Sequence, residues 1–181
     1  MTQLTWFHDD NPAKPVEAIT DFEQIAGRLK EHGIVLERWS AEQPVAAGDS
    51  QESVIRAYQA DINRLMQTGG YQTVDVVSMQ PDHPERAAMR DKFLAEHTHS
   101  EDEVRFFVDG EGLFTLHIGN KVFEVLCRKG DLINVPANTP HWFDMGPNPH
   151  FVAIRLFDNP QGWVAKFTGS DIAANFNRLS N

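Results

Sequence analysis

Cysteine is nearly absent: Cys127 is the single one in 181 residues. One thiol cannot close a disulfide within the chain or build a thiolate zinc cluster. Cys127 ends the apolar stretch 122–127, which makes it a core or strand-end residue. Long hydrophobic runs are missing too. No stretch approaches the roughly 20 apolar residues needed to cross a bilayer, so a membrane is not an expected partner. The opening heptapeptide MTQLTWF lacks the basic and apolar regions of a secretory signal, and a cytoplasmic chain is the expectation. Basic residues are scarce, 16 against 26 acidic ones, for a formal charge of −10. Such a surface repels phosphate backbones, and nucleic acid is not an expected partner. Internal repeats, linkers and low-complexity segments are lacking as well, so the chain reads as one domain.

What is present changes character near residue 95. Residues 1–95 are mixed and rich in helix signals. Thr20 and Glu23 fit a capping box ahead of Phe22, Ile25, Ala26 and Leu29, with Gly33 as a stop. A short strand over 34–39 follows. Asp49 and Glu52 form a second possible box before Val54, Ile55, Tyr58, Ile62, Leu65 and Met66, which share one helical face up to Gly69-Gly70. Residues 71–79 read as a strand, and Pro84 marks the start of a third helix ending near Leu94.

Residues 96–181 read differently. Short β-rich runs at 104–108, 113–118, 121–127, 132–135, 141–144, 151–157 and 163–167 alternate with glycine and asparagine turns. Gly119-Asn120 is a two-residue hairpin signal. The expected fold is therefore mainly β with flanking helices: an antiparallel barrel or double-sheet roll carrying an N-terminal α/β extension.

The chemistry concentrates in HTHSEDEVR at 97–105. Side chains two apart on a strand share a face, so His97 and His99 present two imidazoles together. Glu103 keeps their parity across a segment that reads as strand or bend. His141, after PANTP, offers a third imidazole at the start of another strand. Imidazole and carboxylate together suit iron, nickel, manganese or zinc. An isolated histidine would carry no such weight, and His8, His32, His83, His117 and His150 are given no role. Four protein ligands could close a tetrahedral zinc site, or leave two positions open on a six-coordinate ion.

Neighbouring residues favour the open site. Arg105 and Phe107 continue the parity of His99 and Glu103. An arginine beside a cation is costly unless an anion is also present, which points to an anionic substrate. Arg155 interrupts the apolar run 151–157 and either enters the cavity or faces solvent. Phe107, Phe143 and Trp163 are candidates to line a substrate pocket, with core packing as their ordinary alternative.

The spacing His97-x-His99-x3-Glu103-x6-Gly110 resembles the first metal motif of the cupin superfamily, and Gly130-x5-Pro136-x4-His141 resembles the second. Asn138 stands where a glycine is common, and Met145 where an asparagine is common. The longer segments 93–108, 134–146, 155–163 and 35–39 are similar to the bacterial acireductone dioxygenases of methionine salvage. That resemblance implies a cupin-type barrel and a single iron(II) or nickel(II) ion per chain. It also implies cleavage of 1,2-dihydroxy-3-keto-5-methylthiopentene by O2. The iron form would yield 4-methylthio-2-oxobutanoate and formate; the nickel form would yield methylthiopropanoate, formate and carbon monoxide. Glu96 would assist metal incorporation, Asp102 would transmit local rearrangement, and the protein would act as a monomer. A cupin isomerase or another enol dioxygenase, and a non-catalytic anion-binding cupin, remain alternatives.

Overall fold

The computed structural model describes residues 1–161 and 163–181. Among these residues, eleven strands are arranged in two antiparallel sheets. The first half supplies β1 (Gln3–His8), β2 (Glu17–Ile19), α1 (Phe22–Lys30), β3 (Val35–Arg38), α2 (Gln51–Ala57), α3 (Gln59–Gly69), β4 (Thr73–Met79) and α4 (Arg86–Leu94). The second supplies β5 (His97–Thr98), β6 (Glu103–Ile118), β7 (Lys121–Arg128), β8 (Asp131–Val135), β9 (His141–Asp144), β10 (Phe151–Phe157) and β11 (Lys166–Phe167). One sheet runs β11-β5-β9-β6-β7-β1-β2, and the other runs β4-β10-β6-β8-β3.

The long strand β6 belongs to both sheets. Residues 103–110 pair with β8 and β10, whereas residues 111–118 pair with β7 and β9. The sequence predicts a turn at 109–112 between two separate strands. The structure instead makes one strand with a corner, because Gly110 adopts φ +70 and lets the chain pass between sheets without a break. A Cβ on Gly110 would stand 1.9 Å from the carbonyl oxygen of His150. Gly110→Ala is therefore expected to destabilise the fold by at least about 2 kcal/mol, combining left-handed strain with a backbone clash. Urea unfolding should show it as a lowered midpoint at unchanged slope.

Alternation along the second sheet separates two cores. Phe107, Ile133, Val135, Phe151 and Ala153 point into the barrel, where Phe114, Phe123, Val125 and Phe143 meet them. Val104, Phe106, Leu132, Val152, Ile154 and Leu156 point outward and are covered by Val54, Tyr58, Ile62 and Leu65 of the helices. With both faces covered, β10 carries a nearly unbroken apolar run, and Arg155 is its one charged position.

The helix signals hold with three local differences, one being that Ser50, not Asp49, caps α2, its hydroxyl accepting from the Ser53 amide at 3.2 Å. Asp21, not Thr20, caps α1, its carboxylate accepting from the Gln24 amide at 2.9 Å. The expected single helix over 51–69 breaks at Tyr58, whose φ of −109 is not helical. Tyr58 is buried against Phe106, and its hydroxyl donates to the Gln43 carbonyl. That anchoring outweighs one turn of helix geometry. The strand expected over 163–167 shrinks to Lys166–Phe167. The 118–121 hairpin closes through Gly119-Asn120 as predicted. No helix among the described residues is long and apolar enough to cross a membrane.

Candidate metal centre

Two short strands bring the histidines together. β5 pairs antiparallel with β9 so that His97 lies directly opposite His141. β9 also pairs with β6, which sets His141 beside Leu116 and stacks its ring on Phe114. After β5 the chain bends through 100–102 and enters β6 at Glu103. The loop before β9 is tied to this bend. The Asn138 amide donates to the His99 carbonyl at 2.8 Å, and the Ala137 amide donates to Asp102 at 2.7 Å. Asn138, at φ 62, takes the left-handed conformation that glycine adopts most readily, and asparagine tolerates it.

One ring nitrogen from each of His97, His99 and His141 lies within 4.8 Å of the others. Their Nδ1 atoms face the carbonyls of Ala95 (2.8 Å), Val164 (3.2 Å) and Thr139 (2.8 Å). A carbonyl only accepts, so each Nδ1 carries the proton and each Nε2 keeps a lone pair. Glu103 Oε2 lies 3.3 Å from His99 Nε2 and 3.9 Å from His141 Nε2. All three of these atoms are buried without a hydrogen-bond partner among the described residues. An orphaned buried polar atom costs about 1–3 kcal/mol. A divalent cation satisfies all of them at once, and the donor set fits a borderline transition metal.

The protonation states agree. Burial lowers the pKa values of His97 and His99, and burial with the neighbouring His97 pushes His141 down to about 3. All three rings are neutral, ligand-ready imidazoles at neutral pH. Burial alone would raise the Glu103 carboxyl. The positive charge of Arg105, with that of Arg155 behind it, opposes burial and holds Glu103 well below the usual carboxylate range. Glu103 is therefore an anion.

A cavity of 570 Å³ opens over this cluster, with His97, His99, Arg105, Phe143, Arg155 and Trp163 among its lining residues. Val77, Met79, Met89 and Phe93 make one wall apolar. A larger groove of 640 Å³ beside Arg38, Arg128 and Lys129 contains none of the clustered donors, so size alone does not locate the chemistry.

The flanking residues fall into distinct places. Arg105 does enter the cavity, but the anion beside it belongs to the protein: Nε and Nη2 donate to Glu103 Oε1 at 3.1 and 2.8 Å. Arg155 faces inward too, resolving its two alternatives, and forms a bidentate pair with Asp75 at 2.9 and 2.5 Å. Burial alone would lower its pKa, but the Asp75 hydrogen bonds together with the charges of Glu103 and Asp75 raise it. Phe143 and Trp163 line the cavity; Trp163 is 56% exposed at its rim. Phe107 is the correction. It shares the parity of Arg105 but lies one step deeper, fully buried against Phe143 in the barrel core, and does not line the cavity.

Strand alternation turns Glu96 away from its neighbour His97. Its carboxylate meets His117 Nδ1 at 2.8 Å and accepts from the Thr168 hydroxyl at 2.8 Å, while His117 Nε2 meets Asp9 at 3.1 Å. His117, which the sequence left without a role, thus anchors the back of β5. Asp75 was not anticipated at all. Only the register between β4 and β10 pairs it with Arg155, and no local pattern signals that.

The family model described as "ARD/ARD' family" matches residues 4–165. A protein of Alcanivorax borkumensis named acireductone dioxygenase is 64% identical over 179 residues, covering 99% of both chains. One from Pseudomonas savastanoi pv. phaseolicola with the same name is 58% identical over 181 residues, covering 100% of both. Among solved structures, acireductone dioxygenase from Bacillus anthracis, described with a cadmium ion in its active centre, has a TM-score of 0.77. It is 28% identical and covers 92% of this chain and 98% of its own. The barrel thus shares its fold with that structure, and a metal cofactor goes with it. With a matching family model along most of its length and relatives this similar from end to end, the chain belongs to the ARD/ARD' family.

Proposed function

We propose that this protein is a metal-dependent dioxygenase that cleaves acireductone, 1,2-dihydroxy-3-keto-5-methylthiopentene, with O2 in methionine salvage. The observation that carries this reading is the convergence of three neutral imidazoles and an ionised carboxylate under a cavity that two guanidiniums also line. The full-length relatives named acireductone dioxygenase supply the substrate. His97, His99, Glu103 and His141 would hold one iron(II) or nickel(II) ion. When bound, such an ion supplies Lewis acidity to the enediol oxygens and a means of engaging O2.

The chain's own residues account for the remaining requirements. Arg105 places a fixed positive charge at the cavity wall, where it favours loss of the enediol protons and stabilises the resulting dianion. Its guanidinium is held by Glu103 and lies over Phe114 and Phe143, at 5.1 and 4.9 Å from their ring centroids, so it needs no reorganisation. Arg155 adds a second inward cation. The apolar wall of Val77, Met79, Met89 and Phe93 suits a methylthio tail, with Phe143 and Trp163 beside it, and excludes water from the charged end. Glu96 and Asp102 keep β5 and the 136–140 loop in place around the donors. We read residues 1–181 as one cupin domain acting as a monomer in the cytoplasm.

The test is to load the protein separately with iron(II) and nickel(II), supply acireductone under O2, and identify products and headspace gas. The iron form is expected to give 4-methylthio-2-oxobutanoate and formate, and the nickel form methylthiopropanoate, formate and carbon monoxide. N and O donors without a thiolate accept both ions. If both forms are folded and fully loaded yet neither consumes the enediol, a cupin that binds a small anion or turns over a different enol is the better account.

A further inference from the structure

Four charged side chains form a row on the interior face of the second sheet. Asp75 stands opposite Arg155 across β4 and β10, and Arg155 stands opposite Arg105 across β10 and β6. Arg105 in turn bonds Glu103, two residues along its own strand. Like charges directly opposite one another repel, and a buried site screens them poorly. Each guanidinium is drawn off to its own carboxylate. Arg105 gives Nε and Nη2 to Glu103, and Arg155 gives the same two nitrogens to Asp75.

In both arginines this leaves Nη1. Among the described residues neither Nη1 makes a hydrogen bond, and neither is a sealed orphan of the interior. Both arginines line the metal-site cavity. Asp75 does not. Its carboxylate, 34% exposed, faces a neighbouring hollow of 390 Å³ formed with Thr73, Val74, Phe157, Pro160 and Trp163. Asp75 thus grips Arg155 from behind. A bidentate pair fixes the plane of the guanidinium as well as its position, so the remaining edge of Arg155 is held facing inward.

We propose that Asp75 is a positioning residue, holding Arg155 so that its Nη1 edge and that of Arg105 together grip a dianionic, oxygen-chelating substrate. Charge balance supports that substrate class. Asp75 and Glu103 offset Arg155 and Arg105, and the imidazoles are neutral. A divalent ion therefore leaves the site with an excess charge that a dianion cancels and a monoanion does not. The proposal deepens the dioxygenase reading and rests on it.

The variants are Asp75→Asn, Asp75→Glu, Arg155→Gln and the Asp75→Asn/Arg155→Gln double, each as the metal-loaded full chain. Asp75→Asn is expected to bind metal as the wild type does and to raise KM for acireductone about ten-fold, with a smaller fall in kcat. Asp75→Glu should recover part of that loss. The double variant should be no worse than Arg155→Gln alone, because Asp75 acts only through Arg155. Calorimetric titration of the nickel-loaded proteins with oxalate and with azide gives a readout independent of turnover. Oxalate, a dianionic chelator, should bind Asp75→Asn about ten-fold more weakly than wild type, with azide unchanged. Additive losses in the double variant, wild-type oxalate affinity in Asp75→Asn, or equal weakening of oxalate and azide would each overturn the proposal. If Asp75→Asn does not fold, Asp75→Ala carries the same comparison, and an unchanged oxalate-to-azide ratio there overturns it. Wild-type protein that shows the oxalate pattern but no acireductone turnover would defeat the dioxygenase reading and leave the role of Asp75 standing.

Discussion

His141→Ala is expected to lose its metal and its turnover together while the apoprotein still folds. The wild-type ring is held by the Thr139 carbonyl and stacks on Phe114, 5.2 Å between centroids at an interplanar angle of 13°. Its Nε2 is buried with no hydrogen-bond partner among the described residues. Alanine removes the packing, which destabilises, and removes the orphaned nitrogen, which relieves about 1–3 kcal/mol. These effects oppose each other, so the apo variant should lie within about 2 kcal/mol of apo wild type. The metal term has no such compensation. Changing an outer partner of a ligand costs about 10–100-fold in metal affinity, and loss of the ligand itself should exceed that range. Metal per chain after gel filtration and thermal unfolding with and without added ion both report it. Wild type should gain about 2.7 kcal/mol at an ion concentration of 100 times Kd, and the variant almost nothing. One retained ion per chain in His141→Ala would remove this residue from the ligand set.

Arg105→Ala is expected to lower kcat by about 10²–10³, the usual scale for removing one preorganised charge or donor from a developing anion. Part of the activity should return as pH rises, because without the guanidinium the enediol needs a more alkaline solution to lose its protons. The parity of the sequence alone implies that metal binding would be untouched. The hydrogen bonds from Arg105 to Glu103 Oε1 change that expectation. Losing them frees a carboxylate proposed as a ligand, so metal affinity should also fall about 10–100-fold. Assays at saturating metal separate the two effects. Wild-type kcat at neutral pH under those conditions would rule out a catalytic role for Arg105.

Much of the site was legible because its signals are local. His97, His99 and Glu103 lie within one heptapeptide, and the two-residue period of extended chain carries Arg105 to the same side. Of the glycine-marked turns, 118–121 closes a hairpin as expected, whereas 109–112 lies within β6 and 129–131 joins strands that pair elsewhere. The same period turns Glu96 to the side opposite His97, though its partner there, His117, lies 21 residues away and is set by the fold. Periodicity carries no depth, however. Phe107 has the parity of Arg105, yet one pleat further along β6 the cavity has ended and the core begins.

Taken by itself, then, the sequence determined the donor types, their shared face and the β6–β7 hairpin closed by Gly119-Asn120. Each of these depends on residues a few positions apart, whose geometry the backbone imposes directly. Tertiary structure decided which partner each charge finds. The union of two strands into β6 required the Gly110 corner to meet His150, and the break at Tyr58 required Phe106 beneath it. Asp75 reaches Arg155 across 80 residues only because β4 joins the sheet beside β10 in one particular register. Shifting that register by one residue would turn the carboxylate to the opposite face, and strand order and register are properties of the closed barrel, not of any segment within it.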